Sequence, residues 1–143
     1  MKKGFTLMEL IIVVVIIGIL AMVGLPQFFR VAERGRAAEG IALLGSIRSA
    51  QLRYAAEHGR TVGVMASLDI SDPTATLKFF GAPTVIANID PQNAPGSVIA
   101  RVTRNTAQNQ TGNTYTLSIQ ANGIFQCAGG SAGTCNIVRP QQN

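Results

Sequence analysis

Two hydrophobic rhythms divide the chain. From Leu10 to Phe29 there are twenty residues without a charge. Coiled as a helix, that stretch is apolar all round and about 30 Å long, the thickness of a bilayer core. After Pro26 the helical period continues, but polar positions return. Ala37, Ile41, Leu44, Leu52 and Ala55 fall along one face, and Leu43, Ile47, Ala50 and Tyr54 along a second. Two such stripes fit two partners, the chain's own sheet and other copies, or one broad core face. Glu33, Arg34, Arg36, Glu39, Arg48 and Arg53 take the polar positions, where solvated charge is the ordinary state. His58-Gly59 reads as the helix end, with Gly59 suited to a left-handed cap.

Beyond the helix the period changes to two. Residues 60 to 83 read as a connecting loop, punctuated by Gly63, Pro73, Gly81 and Pro83. Thr84 to Ile89 is a candidate strand. Ser97 to Arg104 sets Val98, Ala100 and Val102 against Ile99, Arg101 and Thr103. Thr114 to Gln120 sets Tyr115, Leu117 and Ile119 against polar neighbours. Asn122-Gly123 signals a two-residue type I′ hairpin turn into a strand from Ile124 to Cys127. Cys135 to Val138 is a further short strand candidate. The fold class is therefore α+β: a long N-terminal α-helix, transmembrane in its first half, packed by its second half against a small antiparallel sheet.

Charge changes the picture at the N-terminus. Lys2 and Lys3 precede the apolar run and favour a cytoplasmic N-terminus. Three ordinary explanations of the run compete. A cleaved secretory signal is shorter and ends in a small-x-small site, which Ile19 to Gly24 does not provide. A plain membrane anchor fits the length but not Glu9. A core helix apolar on every side needs more core than one small domain offers. An ionised carboxylate in hydrocarbon costs upwards of ~3 kcal/mol. Glu9 must neutralise, stay at the headgroups or find a cation. A cut after Gly4 would supply one, because the new ammonium of Phe5 would lie at i, i+4 from Glu9. Pairing with a neighbouring chain's ammonium would also penalise a wrong register by leaving a buried charge alone.

Lys3, Gly4, Phe5, Thr6, Leu7 and Glu9, then the apolar run, then Pro26, form a long and specific pattern. It resembles the class III signal of type IV pilins and type II secretion pseudopilins. The resemblance implies removal of residues 1–4 as a leader by a prepilin peptidase, with cleavage between Gly4 and Phe5 and N-methylation of Phe5. It implies that Glu9 meets the Phe5 amine of an adjacent subunit. It also implies that the stretch from Gly18 to Pro26 unwinds as subunits pack. Residues 5–29 would be the transmembrane and assembly half of the helix, 30–58 its amphipathic half, and 59–143 the head. Met8, where Ile or Leu is commoner, and the four-residue leader are small departures.

Cys127 and Cys135 are the two cysteines. In an exported chain an even pair suggests one disulfide, with two reduced buried thiols as the other reading. Family resemblance assigns the pair to a disulfide-bounded C-terminal loop, rich here in glycine. The formal charge is +5, and removing residues 1–4 with Lys2 and Lys3 lowers it to +3. Arg101, Arg104 and Arg139 are the candidates for a patch on DNA, but no aromatics are interleaved, which argues against nucleic acid. Asn109-Gln110-Thr111 fits a glycosylation triplet, a pattern common by chance.

Catalytic chemistry is thin. The sequence has no Cys-x-x-Cys, His-Glu-x-x-His, nucleophile elbow or phosphate loop. Asp69, Asp72 and Asp90 are too scattered for a calcium loop, and His58 has no companion ligands. The expectation is a non-enzymatic structural subunit without cofactor or metal, held in the inner membrane by lipid and then polymerised with copies of itself into a surface pilus. Its expected partners are the prepilin peptidase and the pilus assembly machinery. The alternatives are a secretion pseudopilin and a minor DNA-binding pilin for natural transformation.

Overall fold

The computed structural model describes residues 4–71, 73, 77–105, 114–130 and 135. Asp72, the triplet at 109–111, Arg139 and the strand expected beyond Cys135 lie outside the described residues. The chain divides into two compact units, Met1–Glu33 and Arg34–Asn143. Helix α1 spans Leu7–His58 and contributes to both.

In the first unit every residue from Gly4 to Val31 is exposed, including each large apolar side chain. Burial in a core therefore does not account for this stretch. Pro26 lies inside α1. Its nitrogen has no hydrogen to give the carbonyl of Met22, yet the helix continues past it.

The second unit is built on a four-stranded antiparallel sheet of β1 (Thr84–Val85), β2 (Val98–Thr103), β3 (Tyr115–Gln120) and β4 (Phe125–Gly129), ordered as in sequence. Its inner face packs against α1. Ala37, Leu43, Leu44, Ile47 and Ala50 of the helix meet Phe80, Val85, Ile99, Val102, Tyr115, Leu117 and Ile119 in one cluster. Each fully buried large aliphatic side chain contributes about 1.5–3 kcal/mol. The two apolar stripes of the helix are thus one broad core face, since Leu43 and Leu44 are both buried. Gly59 has φ 79°, and its N–H donates to Ala55 at 2.7 Å, the expected left-handed cap.

Three strand expectations need correction. β1 stops at Val85. Asn88 has φ 62°, and Asn88 and Ile89 exchange backbone hydrogen bonds with Thr61 instead of continuing the ladder. In β2 the register shifts between Val98 and Ala100, so Ile99 and Ala100 are both buried and strict alternation fails. The turn after β3 has three residues, Ala121 to Gly123. Gly123 N–H donates to Gln120, and Gln120 N–H donates to Ile124. Gly123 has φ 94°, while Asn122 lacks the positive φ that a type I′ turn requires.

Charged and amide side chains fasten α1 to the rest of this unit. Gln51, fully buried, donates to the Val62 carbonyl at 2.6 Å and accepts from the Val62 N–H at 3.0 Å. Glu39 accepts from the Lys78 and Phe79 N–H groups. Arg48 donates to the Ala121 carbonyl at 2.9 Å. Glu39 and Arg48 are therefore not simply solvated, and their partners lie 39 and 73 residues away in sequence.

Candidate functional site

Gly4 to Thr6 precede the helix and carry no regular structure, so the Gly4–Phe5 bond lies in exposed non-helical backbone. Phe5 is 83% exposed. Thr6 then stands at the position before the first helical residue, and Glu9 three residues later. Glu9 Oε2 accepts from the Thr6 N–H at 3.2 Å and the Thr6 hydroxyl at 3.0 Å. In return, Glu9 N–H donates to Thr6 Oγ1 at 3.3 Å. This is a reciprocal capping box, and it occupies amide hydrogens that the start of a helix leaves without partners. The carboxylate also faces the positive end of the helix dipole. The two bonds give Glu9 Oε2 polar partners within its own chain.

Sequence reasoning passed over that cap. Its signal was present: Thr-x-x-Glu directly before an apolar run is a helix-start signature. Glu9 therefore has a local role in a single chain, beside the intersubunit role expected of it.

The remaining expected residues fall elsewhere. Cys127 and Cys135 form a disulfide with Cα atoms 5.5 Å apart, joining β4 to the chain beyond it. Both flank the core. Of the residues expected in a DNA patch, Arg101 and Arg104 are described, and they do not share an exposed surface. Arg101 is exposed on β2, whereas Arg104 is 1% exposed. Arg104 Nη1 donates to the Phe79 carbonyl at 2.7 Å, and its guanidinium lies 5.2 Å and 6.0 Å from the Phe79 and Phe80 ring centroids. A polyanion cannot reach it. The alternation itself carries this outcome, because Arg104 falls on the side of Ala100 and Val102.

Arg53 grips Asp69 through two hydrogen bonds of 2.7 Å. The Arg53 hydrogen bonds hold the Asp69 carboxyl below its ordinary range. A group depressed in this way stabilises the fold above its unfolded pKa, near 4, and that contribution is lost as pH falls through the folded value. In a carbon-13 NMR titration, Arg53→Gln is expected to move the Asp69 midpoint upward. An unchanged midpoint would mean the pair does not persist in solution.

Comparison with known proteins follows the same division. Residues 1–25 match the model of the prokaryotic N-terminal methylation motif, and residues 34–141 match that of pilin, a bacterial filament protein. The chain is 37% identical over 78 residues to a type IV major pilin protein PilE1 of Neisseria gonorrhoeae, covering 54% of this chain and 47% of that one. It thus spans about half the length of that relative. It is 28% identical over 131 residues to a fimbrial protein of Pseudomonas aeruginosa, covering 88% and 84% of the two chains. With the type IV major fimbrial protein FimA of Dichelobacter nodosus the identity is 31% over 139 residues, covering 90% and 88%. A match to the pilin model over most of the length, joined to an exposed apolar helix and a disulfide-closed antiparallel sheet, means that the chain belongs to the pilin family of bacterial filament proteins.

Proposed function

We propose that this chain is a structural subunit that polymerises into a type IV pilus through its N-terminal helix. The observation that carries the reading is the exposed apolar surface from Phe5 to Val31, in a chain whose second unit has a core of its own. Contiguous apolar surface of this extent requires lipid or other copies of the same helix. A bilayer holds the subunit first. A prepilin peptidase cuts at Gly4–Phe5, and the Phe5 amine is methylated. The exposed non-helical backbone at that bond supports access by the peptidase. Each Glu9 then meets the Phe5 amine of a neighbour while its cap on Thr6 stays in place, and the Pro26 region adjusts as helices pack side by side. The mature subunit ends on the cell surface and has a structural role, without catalysis.

Similarity to proteins named major pilin or fimbrial protein supports a bulk role over a secretion pseudopilus or a minor DNA-binding pilin. Burial of Arg104 also counts against the DNA reading. The test is the composition of filaments sheared from intact cells. This chain is expected as their most abundant component; trace amounts, or none, would contradict the reading.

A further inference from the structure

We propose that a cleft at the C-terminal end of α1 receives Arg101 from a second copy of the chain. This rests on the filament reading above and names a contact between the sheet-bearing units of two subunits.

The cleft has a volume of about 320 Å³. Leu52, Ala55, Ala56 and Pro91 give it apolar walls, and Gly59, Asp90 and Gln92 give it a polar end. The negative end of the helix dipole lies there, where the last carbonyls have no amide partners within the helix. Asp90 Oδ1 accepts from the Gln92 and Asn93 N–H groups, and Oδ2 accepts from Asn93 Nδ2. A carboxylate offers about four acceptor sites, so these three bonds leave room for one more donor. The Gln92 N–H above all, then the Asn93 side chain and N–H, hold Asp90 below the ordinary carboxylate range, and the charge of Arg60 adds to this. Apolar walls leading to an ionised carboxylate suit a cation on an apolar stem. An arginine offers that, with several donors on its head.

Arg101 is the complementary element. It projects from the face of the sheet opposite α1, between Thr84 of β1 and Ser118 of β3. Thr103, Thr116 and Gln126 share that outer face. No carboxylate stands among the strand residues described there. Ala100 and Val102 point to the core, so α1 covers one face of the sheet while Arg101 leaves from the other. The cleft and Arg101 are therefore different surfaces, and their contact is heterologous. Contacts of that kind propagate into open helical filaments where the rotation does not close.

Full-length variants expressed in cells provide the test. Arg101→Glu is expected to lower the yield of sheared filaments roughly tenfold, the equivalent of losing about 1.4 kcal/mol per contact, and Arg101→Lys to restore most of it. In filaments carrying both Gln92→Cys and Arg101→Cys, oxidation is expected to give a ladder of covalent multimers that neither single variant gives. Wild-type yield from Arg101→Glu, or the absence of a ladder in assembled double-variant filaments, would overturn the contact while leaving the filament reading intact. Failure of the unmodified chain to form filaments would overturn both.

Discussion

Glu9→Val is expected to leave cleavage at Gly4–Phe5 intact while filaments fall by at least about a hundredfold, with processed chain accumulating in the membrane. Removing one member of a buried, hydrogen-bonded charge pair costs about 3–5 kcal/mol, because the other charge stays behind without compensation. Under the proposed pairing that charge is the Phe5 ammonium of a neighbour, and the cost would recur at every subunit. Valine also removes the cap that Glu9 makes with Thr6. The two roles separate in Glu9→Gln. Glutamine serves at this position of a capping box, so the cap survives and the charge is lost. If charge pairing drives assembly, both variants lose filaments. Normal assembly of Glu9→Gln beside failure of Glu9→Val would assign the defect to the helix start. Immunoblots of the sheared surface fraction against the cell fraction read both results.

Gly40→Val is expected to destabilise the second unit by about 3 kcal/mol. A Cβ at Gly40 would lie 2.8 Å from Phe80 Cζ, 3.0 Å from its Cε2 and 3.1 Å from Leu117 Cδ1. Neither neighbour has space to retreat, since Phe80 is 2% exposed and Leu117 fully buried. The Phe80 ring also meets Tyr115 edge-on, with centroids 6.0 Å apart. Overpacking a dense core costs about 1–3 kcal/mol, and valine inserts three carbons. The better helix propensity of valine returns only a few tenths of a kcal/mol. For a unit of about a hundred residues the midpoint of thermal unfolding should fall by roughly 10–20 °C. Gly45 is the control, because a Cβ there meets nothing within 4 Å. Gly45→Ala is expected to keep or raise the midpoint. Near-UV circular dichroism of the full chain in detergent follows both. A Gly40→Val midpoint equal to that of the unmodified chain would show that the helix and sheet do not approach this closely.

Local signals made much of this legible beforehand. The apolar run, the end of the helix at Gly59 and the alternation of Tyr115, Leu117 and Ile119 each depend on neighbours within a few residues, and each holds. What escaped depends on residues brought together from afar. The bulge at Ile99 places two consecutive residues of β2, Ile99 and Ala100, in the core cluster. β1 is short because Thr61 captures Asn88 and Ile89. Whether Glu39 is solvated or anchored turns on the loop at Lys78, 39 residues away. The candidate processing site is a contiguous motif and could be read residue by residue, with the Thr6–Glu9 cap overlooked despite its signature. The cleft beside Gly59 and Pro91 had no such signal, since it exists only once the helix end and the 90–92 turn meet.

The most direct measurement is the intact mass of this chain taken from purified surface filaments, with fragmentation from its N-terminus. The expected chain begins at N-methylated Phe5 and is lighter by two hydrogens for the Cys127–Cys135 bridge. Filaments built from chains that still begin at Met1 would contradict it. With residues 1–4 in place there is no free ammonium at Phe5 for any Glu9 to meet.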